Sequence, residues 1–223
     1  MISRLPRWVE YGAFVLAFTA GCINAVGLLG FQHQAISHLS GTATQLGSEI
    51  ANAALTDTTH LLMVLISFLL GAAISGVMLT GRSLQLGRHY DSLLVIESVL
   101  LLAAIYFLQQ GSVYGHFLGS AACGLQNALA TTYSGAVIRT THLTGIFTDL
   151  GIMLGEALRG KPFDNRKALL FMLIIIGFIT GGISGAMLFA QYTFLTLLLP
   201  ATICLILALA YRFYRSTILL KQQ

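Results

Sequence analysis

Apolar residues run through this chain in long blocks broken by short polar interruptions, and the block lengths predict membrane-spanning helices. A bilayer core needs about 20 mostly apolar residues per helix. Residues 11–31, 61–80, 92–109, 113–131, 168–190 and 193–211 fall in that range. Two further segments, 37–52 and 141–158, are shorter and more polar but keep a helical period. Leu39, Ala43, Leu46 and Ile50 share one face of the first, and Leu143, Phe147, Leu150 and Leu154 share one face of the second. Beside each apolar stripe runs a stripe of small residues: Ser40, Thr44, Gly47 and Ala51, then Thr144, Thr148, Gly151 and Gly155. Small stripes let another helix come close, so both short helices are expected to lie inside protein, away from lipid.

The blocks repeat. Gly21-Cys22-Ile23-Asn24-Ala25 returns as Gly124-Leu125-Gln126-Asn127-Ala128, 103 positions on. His38-Leu39-Ser40-Gly41 returns as His142-Leu143-Thr144-Gly145 at 104, and Ile74-Ser75-Gly76 as Ile183-Ser184-Gly185 at 109. The chain therefore reads as a single transmembrane domain over 1–223, with repeat halves at about 8–110 and 111–215.

Composition changes the picture from helical to lipid-bound. Of 223 residues, 12 are Lys or Arg and 8 are Asp or Glu, 9% of the chain, while 56% are hydrophobic. A soluble domain carries about 25% charged residues because water must wet its surface. A soluble enzyme, a secreted disulfide domain and a disordered protein are thereby excluded. The net charge of +4 sits in short clusters between apolar runs, which suits topology determinants at an anionic membrane face better than nucleic acid. Cys22, Cys123 and Cys204 all lie in apolar runs, against a disulfide framework or a zinc site.

Those clusters orient the chain. Arg4, Arg7, Arg212, Arg215 and Lys221 place both termini inside. Arg82 and Arg88, then Arg139, then Arg159, Lys161, Arg166 and Lys167 all fall inside as well if the two short helices are re-entrant. That gives an all-α polytopic bundle of six spans plus two short re-entrant helices, and an inverted two-fold repeat. The alternative is eight spans with a parallel repeat, which places Arg82, Arg88 and Arg139 outside.

Inverted repeats with short helices near the midplane are how many transporters build a central site. Asn24 and Asn127 lie deep in apolar spans, and an amide there must face protein or a water-filled pathway. A polar face on the first short helix carries His38, Thr42, Gln45, Glu49 and Asn52; the second carries His142, Asp149 and Glu156. Such faces line a cavity or pair internally. Asp149 is the most isolated acid, with Arg139 or a nearby hydroxyl as its alternative partner. Glu156 reads as a surface pair with Arg159. Glu97, inside the fourth segment, is a second acid at depth, in reach of Arg88 or His89. A polar core or pathway set follows: Asn24, His38, Gln45, Asn127, Arg139, His142, Thr144 and Asp149. Gly41, Gly47, Gly76, Gly145, Gly151, Gly181 and Gly185 are expected to serve close helix packing. None of the six histidines has metal-ligand spacing, so no metal or other cofactor is expected, and no catalytic string supports an enzyme.

Cys123-Gly124-Leu125-Gln126-Asn127-Ala128, followed by Arg139-Thr140-Thr141-His142-Leu143-Thr144-Gly145-Ile146-Phe147-Thr148-Asp149-Leu150-Gly151, resembles the YoaK family of bacterial membrane proteins. That family pairs a G-L-Q-N-A helix with an R-T-T-x-x-T-G-x-x-T-D-L-G segment. The first half matches with departures: Asn24 stands where the family carries an acid and Thr42 where it carries asparagine. The resemblance covers almost the whole chain and implies a multi-spanning bacterial inner-membrane protein, without naming a substrate. The reading that results is a small-solute transporter or channel whose pathway runs between the short helices. The alternative is a non-transporting membrane protein that assembles with or regulates a partner. The bilayer, an unidentified small solute and a second copy of the chain are its expected partners; nucleic acid is not.

Overall fold

The computed structural model describes residues 8–30, 36–79, 89–133 and 139–221, without the side chains of Trp8, Tyr133 and residues 217–221. Among these residues the chain is helical throughout: α1 (Trp8–Leu29), α2 (Leu39–Ala51), α3 (Leu55–Met78), α4 (Tyr90–Gln109), α5 (Tyr114–Tyr133), α6 (Leu143–Leu158), α7 (Asn165–Tyr192) and α8 (Leu198–Lys221), with a 3-10 turn at Thr193–Leu197. By length and composition, four stretches can each cross a membrane: Val9–Leu29, Leu55–Met78, Tyr90–Gln109 and the continuous Asn165–Ser216, which holds α7 and α8. α5 is less apolar because Gly115, His116, Gly119, Ser120, Gly124, Gln126 and Asn127 interrupt it.

Block length alone located most elements, and the differences have local causes. α3 starts six residues before the expected apolar block, through a polar first turn. Thr59 Oγ1 there donates back to the carbonyls of Leu55 at 3.0 Å and Thr56 at 2.8 Å. Asp57 suits the positive end of the helix. α7 and α8 part at Thr193, a β-branched residue held at φ +50°, where a helix cannot continue. Asp164 caps α7 by accepting from the Lys167 amide at 3.0 Å. Arg4, Arg7, Arg82 and Arg88, and the side chain of Lys221, lie outside the described residues.

Two crossing pairs form the frame: α1 packs on α7, and α3 on α5. In both, glycine brings backbone against backbone. A Cβ on Gly21 would run into the carbonyl oxygen of Phe178, and one on Gly181 into that of Phe18. Likewise Gly71 meets the carbonyl of Ala121, and Gly124 that of Phe68. Gly177 and Gly185 extend the α1–α7 seam, with the carbonyl oxygens of Phe14 and Cys22 at 2.6 and 2.8 Å from their Cβ positions. Each pair therefore draws one helix from each half of the chain. α4 packs on α5 and α8, closing a core around Leu93, Leu125, Leu170 and Ile174.

The short helices depart from expectation. α2 lies on α3 and α6 on α7, and among the described residues much of their other flanks is exposed. Thr44, Gln45, Gly47 and Ser48 are exposed, as are Thr148, Asp149, Gly151 and Gly155. Among the described residues the glycines of the small-residue stripes meet no second helix: the Cβ positions of Gly47, Gly151 and Gly155 face open space, as does that of Gly76 on α3.

Candidate functional site

The two short helices begin at the same place. Histidine is the residue preceding each: His38 before α2 and His142 before α6. His38 Nδ1 accepts from the Gly41 amide at 3.2 Å, satisfying one of the donors that a helix start leaves open. The accepting nitrogen carries no proton, so Nε2 is the N–H of that ring. The His142 ring also lies over its first turn, against Gly145. Gly41 and Gly145 therefore act differently from the packing role expected of them. A Cβ on Gly41 would stand 2.6 Å from His38 Nδ1, and one on Gly145 would run into the His142 ring. Each glycine makes room for a histidine, and the H-x-x-G string common to both halves is the signature of that arrangement.

Between the two helix starts lies a cavity of about 320 Å³. Ser37, His38, Leu39 and Ser40 line it from the α2 side, and Arg139, Thr141, His142 and Thr144 from the α6 side. Its remaining wall is Phe68 and Asn127, from the middle of α3 and the C-terminal half of α5. Asn24, on α1, supports the α2 side: its Oδ1 accepts from Ser37 Oγ at 2.8 Å and from the Ser37 amide at 3.4 Å. Asn127 Oδ1 is buried with no hydrogen-bond partner among the described residues.

Of the residues singled out by sequence, His38, Asn127, Arg139, His142 and Thr144 thus come together around one cavity, with Asn24 one contact behind. Gln45 and Asp149 do not join them. Both lie on exposed flanks of the short helices, and Asp149 faces Lys167 at 3.9 Å instead of Arg139. Glu156 pairs with Lys161 at 2.7 Å, not with Arg159, because the chain turns at Gly160 (φ +83°) and brings Lys161 back over α6. Glu97 is fully buried on α4, near the Cys123 and Cys204 thiols. The Cys204 thiol stands beside its carboxyl, and neither carboxyl oxygen meets a nitrogen or oxygen donor among the described residues.

Sequence reasoning missed three features. Ser37 and Thr141 line the cavity as the first residues of the two short segments, ahead of α2 and α6 themselves and outside the periodic faces that mark the helices. Phe68 reads as one more apolar span residue. His60 and His116, 56 positions apart, meet across α3 and α5 with ring nitrogens 3.3 Å apart, and no spacing rule joins them. Gln126, fully buried, donates through Nε2 to Thr19 Oγ1, tying α5 to α1. A second, larger cavity of about 460 Å³ between α1, α4 and α8 has almost wholly apolar walls and offers no convergent polar chemistry. Among the described residues, no group of three or more His, Cys, Asp or Glu side chains is placed to hold a metal ion.

A family model described as a protein of unknown function (DUF1275) matches residues 12–210. No curated protein and no solved structure matches the chain.

Proposed function

The chain belongs to the DUF1275 family of proteins of unknown function, and from that premise we propose that it is a small-solute transporter or channel of the bacterial inner membrane, whose pathway passes through the cavity between α2 and α6. The observation that carries this reading is the position of the cavity. It touches the middle of α3 and the C-terminal half of α5, and both short helices start there. α2 has 13 residues and α6 has 16, so at 1.5 Å per residue they reach about 20 and 24 Å, less than the ~30 Å hydrocarbon core. Helices that begin at mid-depth and run outward do not cross. The topology proposed is therefore six spans, α1, α3, α4, α5, α7 and α8, with α2 and α6 re-entrant from opposite faces and both termini cytoplasmic.

An inverted repeat accounts for the frame. Gly21 and Gly124 are 103 positions apart, as are their counterparts Phe18 and Ala121. Phe68 and Phe178 are 110 apart, as are Gly71 and Gly181. One correspondence, α1 to α5 and α3 to α7, therefore turns two backbone contacts of one pair, Gly21 with Phe178 and Gly181 with Phe18, into the two of the other, Gly124 with Phe68 and Gly71 with Ala121. It shifts the third repeat block by one residue from the 109 read off the sequence. Irregular backbone at membrane depth is tolerated where it lines a water-filled cavity, which the paired helix starts do. A second copy of the chain would cover the polar flanks of α2 and α6. The reading needs no catalytic group and no cofactor.

Flux tests it. Purified protein in lipid vesicles, given labelled small anions, cations and neutral solutes, is expected to move at least one class above empty vesicles. Asp149→Asn is expected to match the wild type, since its exposed ion pair at 3.9 Å contributes ~1 kcal/mol or less. Absence of flux for every class would favour the assembly or regulatory alternative.

A further inference from the structure

Resting on that pathway reading, we infer that the solute taken by the cavity is a small anion, held between the two helix starts and Arg139. The first turn of an α-helix leaves amide donors unsatisfied and carries about half a positive charge. Here two such starts, from helices of 13 and 16 residues, share one cavity. Arg139 lines it too and forms no ion pair with any acidic side chain among the described residues.

The chain's eight acids are all elsewhere. Glu10 pairs with Arg166, Asp91 with Arg215, Asp149 with Lys167 and Glu156 with Lys161. Asp164 caps α7, Glu97 is buried against α8, and Glu49 and Asp57 lie away from the cavity, toward the far end of α2 and the start of α3. A cation entering the cavity would find a guanidinium, helix starts and no carboxylate.

A neutral solute would leave Arg139, exposed at the cavity, to water alone. An anion compensates its charge and meets further donors: the His38 Nε2–H and the hydroxyls of Ser40, Thr141 and Thr144. The Asn127 side chain, half-buried with an Oδ1 that has no partner among the described residues, stands on the opposite wall, and turning the amide offers its N–H to the anion. The cavity's 320 Å³ equals the liquid volume of about ten waters at ~30 Å³ each. That is room for an anion the size of chloride, nitrate or formate with part of its hydration shell.

Two measurements separate this inference from the pathway reading. In detergent, thermal unfolding of the full chain is followed against chloride, nitrate, formate and inorganic phosphate, with potassium gluconate holding ionic strength constant. At least one small anion is expected to raise the melting temperature saturably. The apparent affinity should fall at least tenfold in Arg139→Gln and recover in part in Arg139→Lys. Asn127→Asp, which puts a negative charge into the cavity, should also abolish the shift and stands as the second variant if Arg139→Gln does not fold. The same anions, with rubidium and urea, are then followed into vesicles. No saturable shift with any anion, or a shift that both variants keep, overturns the anion inference, whatever the flux. A shift lost in the variants but with no flux keeps the anion site and overturns the pathway. Flux of rubidium or urea without an anion shift does the reverse.

Discussion

Replacing Gly124 by alanine is expected to destabilise the protein by about 3 kcal/mol or more, although the same change in an open helix normally stabilises. Alanine is better than glycine in a helix interior by up to ~1 kcal/mol, because glycine has more backbone freedom to lose. At Gly124 the added methyl would meet the backbone carbonyl of Phe68, not a side chain that can turn away. Relief requires α3 and α5 to separate, and overpacking of this kind costs about 1–3 kcal/mol or more. Gly21, Gly71 and Gly181 face the same obstacle against Phe178, Ala121 and Phe18 and should behave alike. Gly47, Gly76 and Gly151 meet nothing within 4 Å, so alanine there should be neutral or gain up to ~1 kcal/mol. Unfolding of the seven variants in mild detergent checks this. Equal effects in the two groups would mean that these glycines do not set the helix crossings.

Asn127→Leu is expected to lower flux at least tenfold while the melting temperature holds or rises. The amide has a buried oxygen without a partner and faces the cavity. An unmade buried hydrogen bond costs ~1–3 kcal/mol, a cost that leucine, similarly branched and without a polar atom, removes. A solute that used the amide would lose an interaction of similar size, and ~1.4 kcal/mol is one decade in rate or affinity. Stability gained while activity is lost is the mark of a residue kept for its site. Flux and unfolding measured on one preparation read both signs. Loss of stability together with flux would make Asn127 a packing residue.

The helices were legible in the sequence because lipid imposes one rule on every span, a long apolar run. The two short helices were legible because their runs fall short of it. Partner choice was not. The stripe Gly177, Gly181 and Gly185 announces a close approach, but nothing in the pattern says that α1 is what approaches. The proposed repeat rests on matching strings and on the paired glycine contacts, and the two differ by one residue in α3 and α7: Ile74-Ser75-Gly76 matches Ile183-Ser184-Gly185 at 109, while the contacting Gly71 and Gly181 are 110 apart.

The site divides the same way. His38, Asn127, Arg139, His142 and Thr144 were found because polar residues stand out in apolar blocks. Asp149 stood out for the same reason, but its partner Lys167 sits on the next helix, 18 positions on, where pattern reading within one helix does not look. Glu97 is as isolated as Asp149 in sequence, yet it is the acid that the fold fully buries. Isolation marks a polar residue as unusual; only the packing says whether it meets water, a partner or a solute.

Everything proposed for the cavity depends on α2 and α6 stopping at mid-depth, and side-specific cysteine labelling tests that directly. Cys22, Cys123 and Cys204 are fully buried, so a membrane-impermeant maleimide should report single cysteines introduced at Thr58, in the first turns of α3, and at Phe163, between α6 and α7. Six spans with two re-entrant helices put these positions on opposite sides: Thr58→Cys should label in intact cells and Phe163→Cys only after the inner face is opened. If both label from the same side, the short helices cross the membrane, their starts do not meet at its centre, and the pathway described here does not exist.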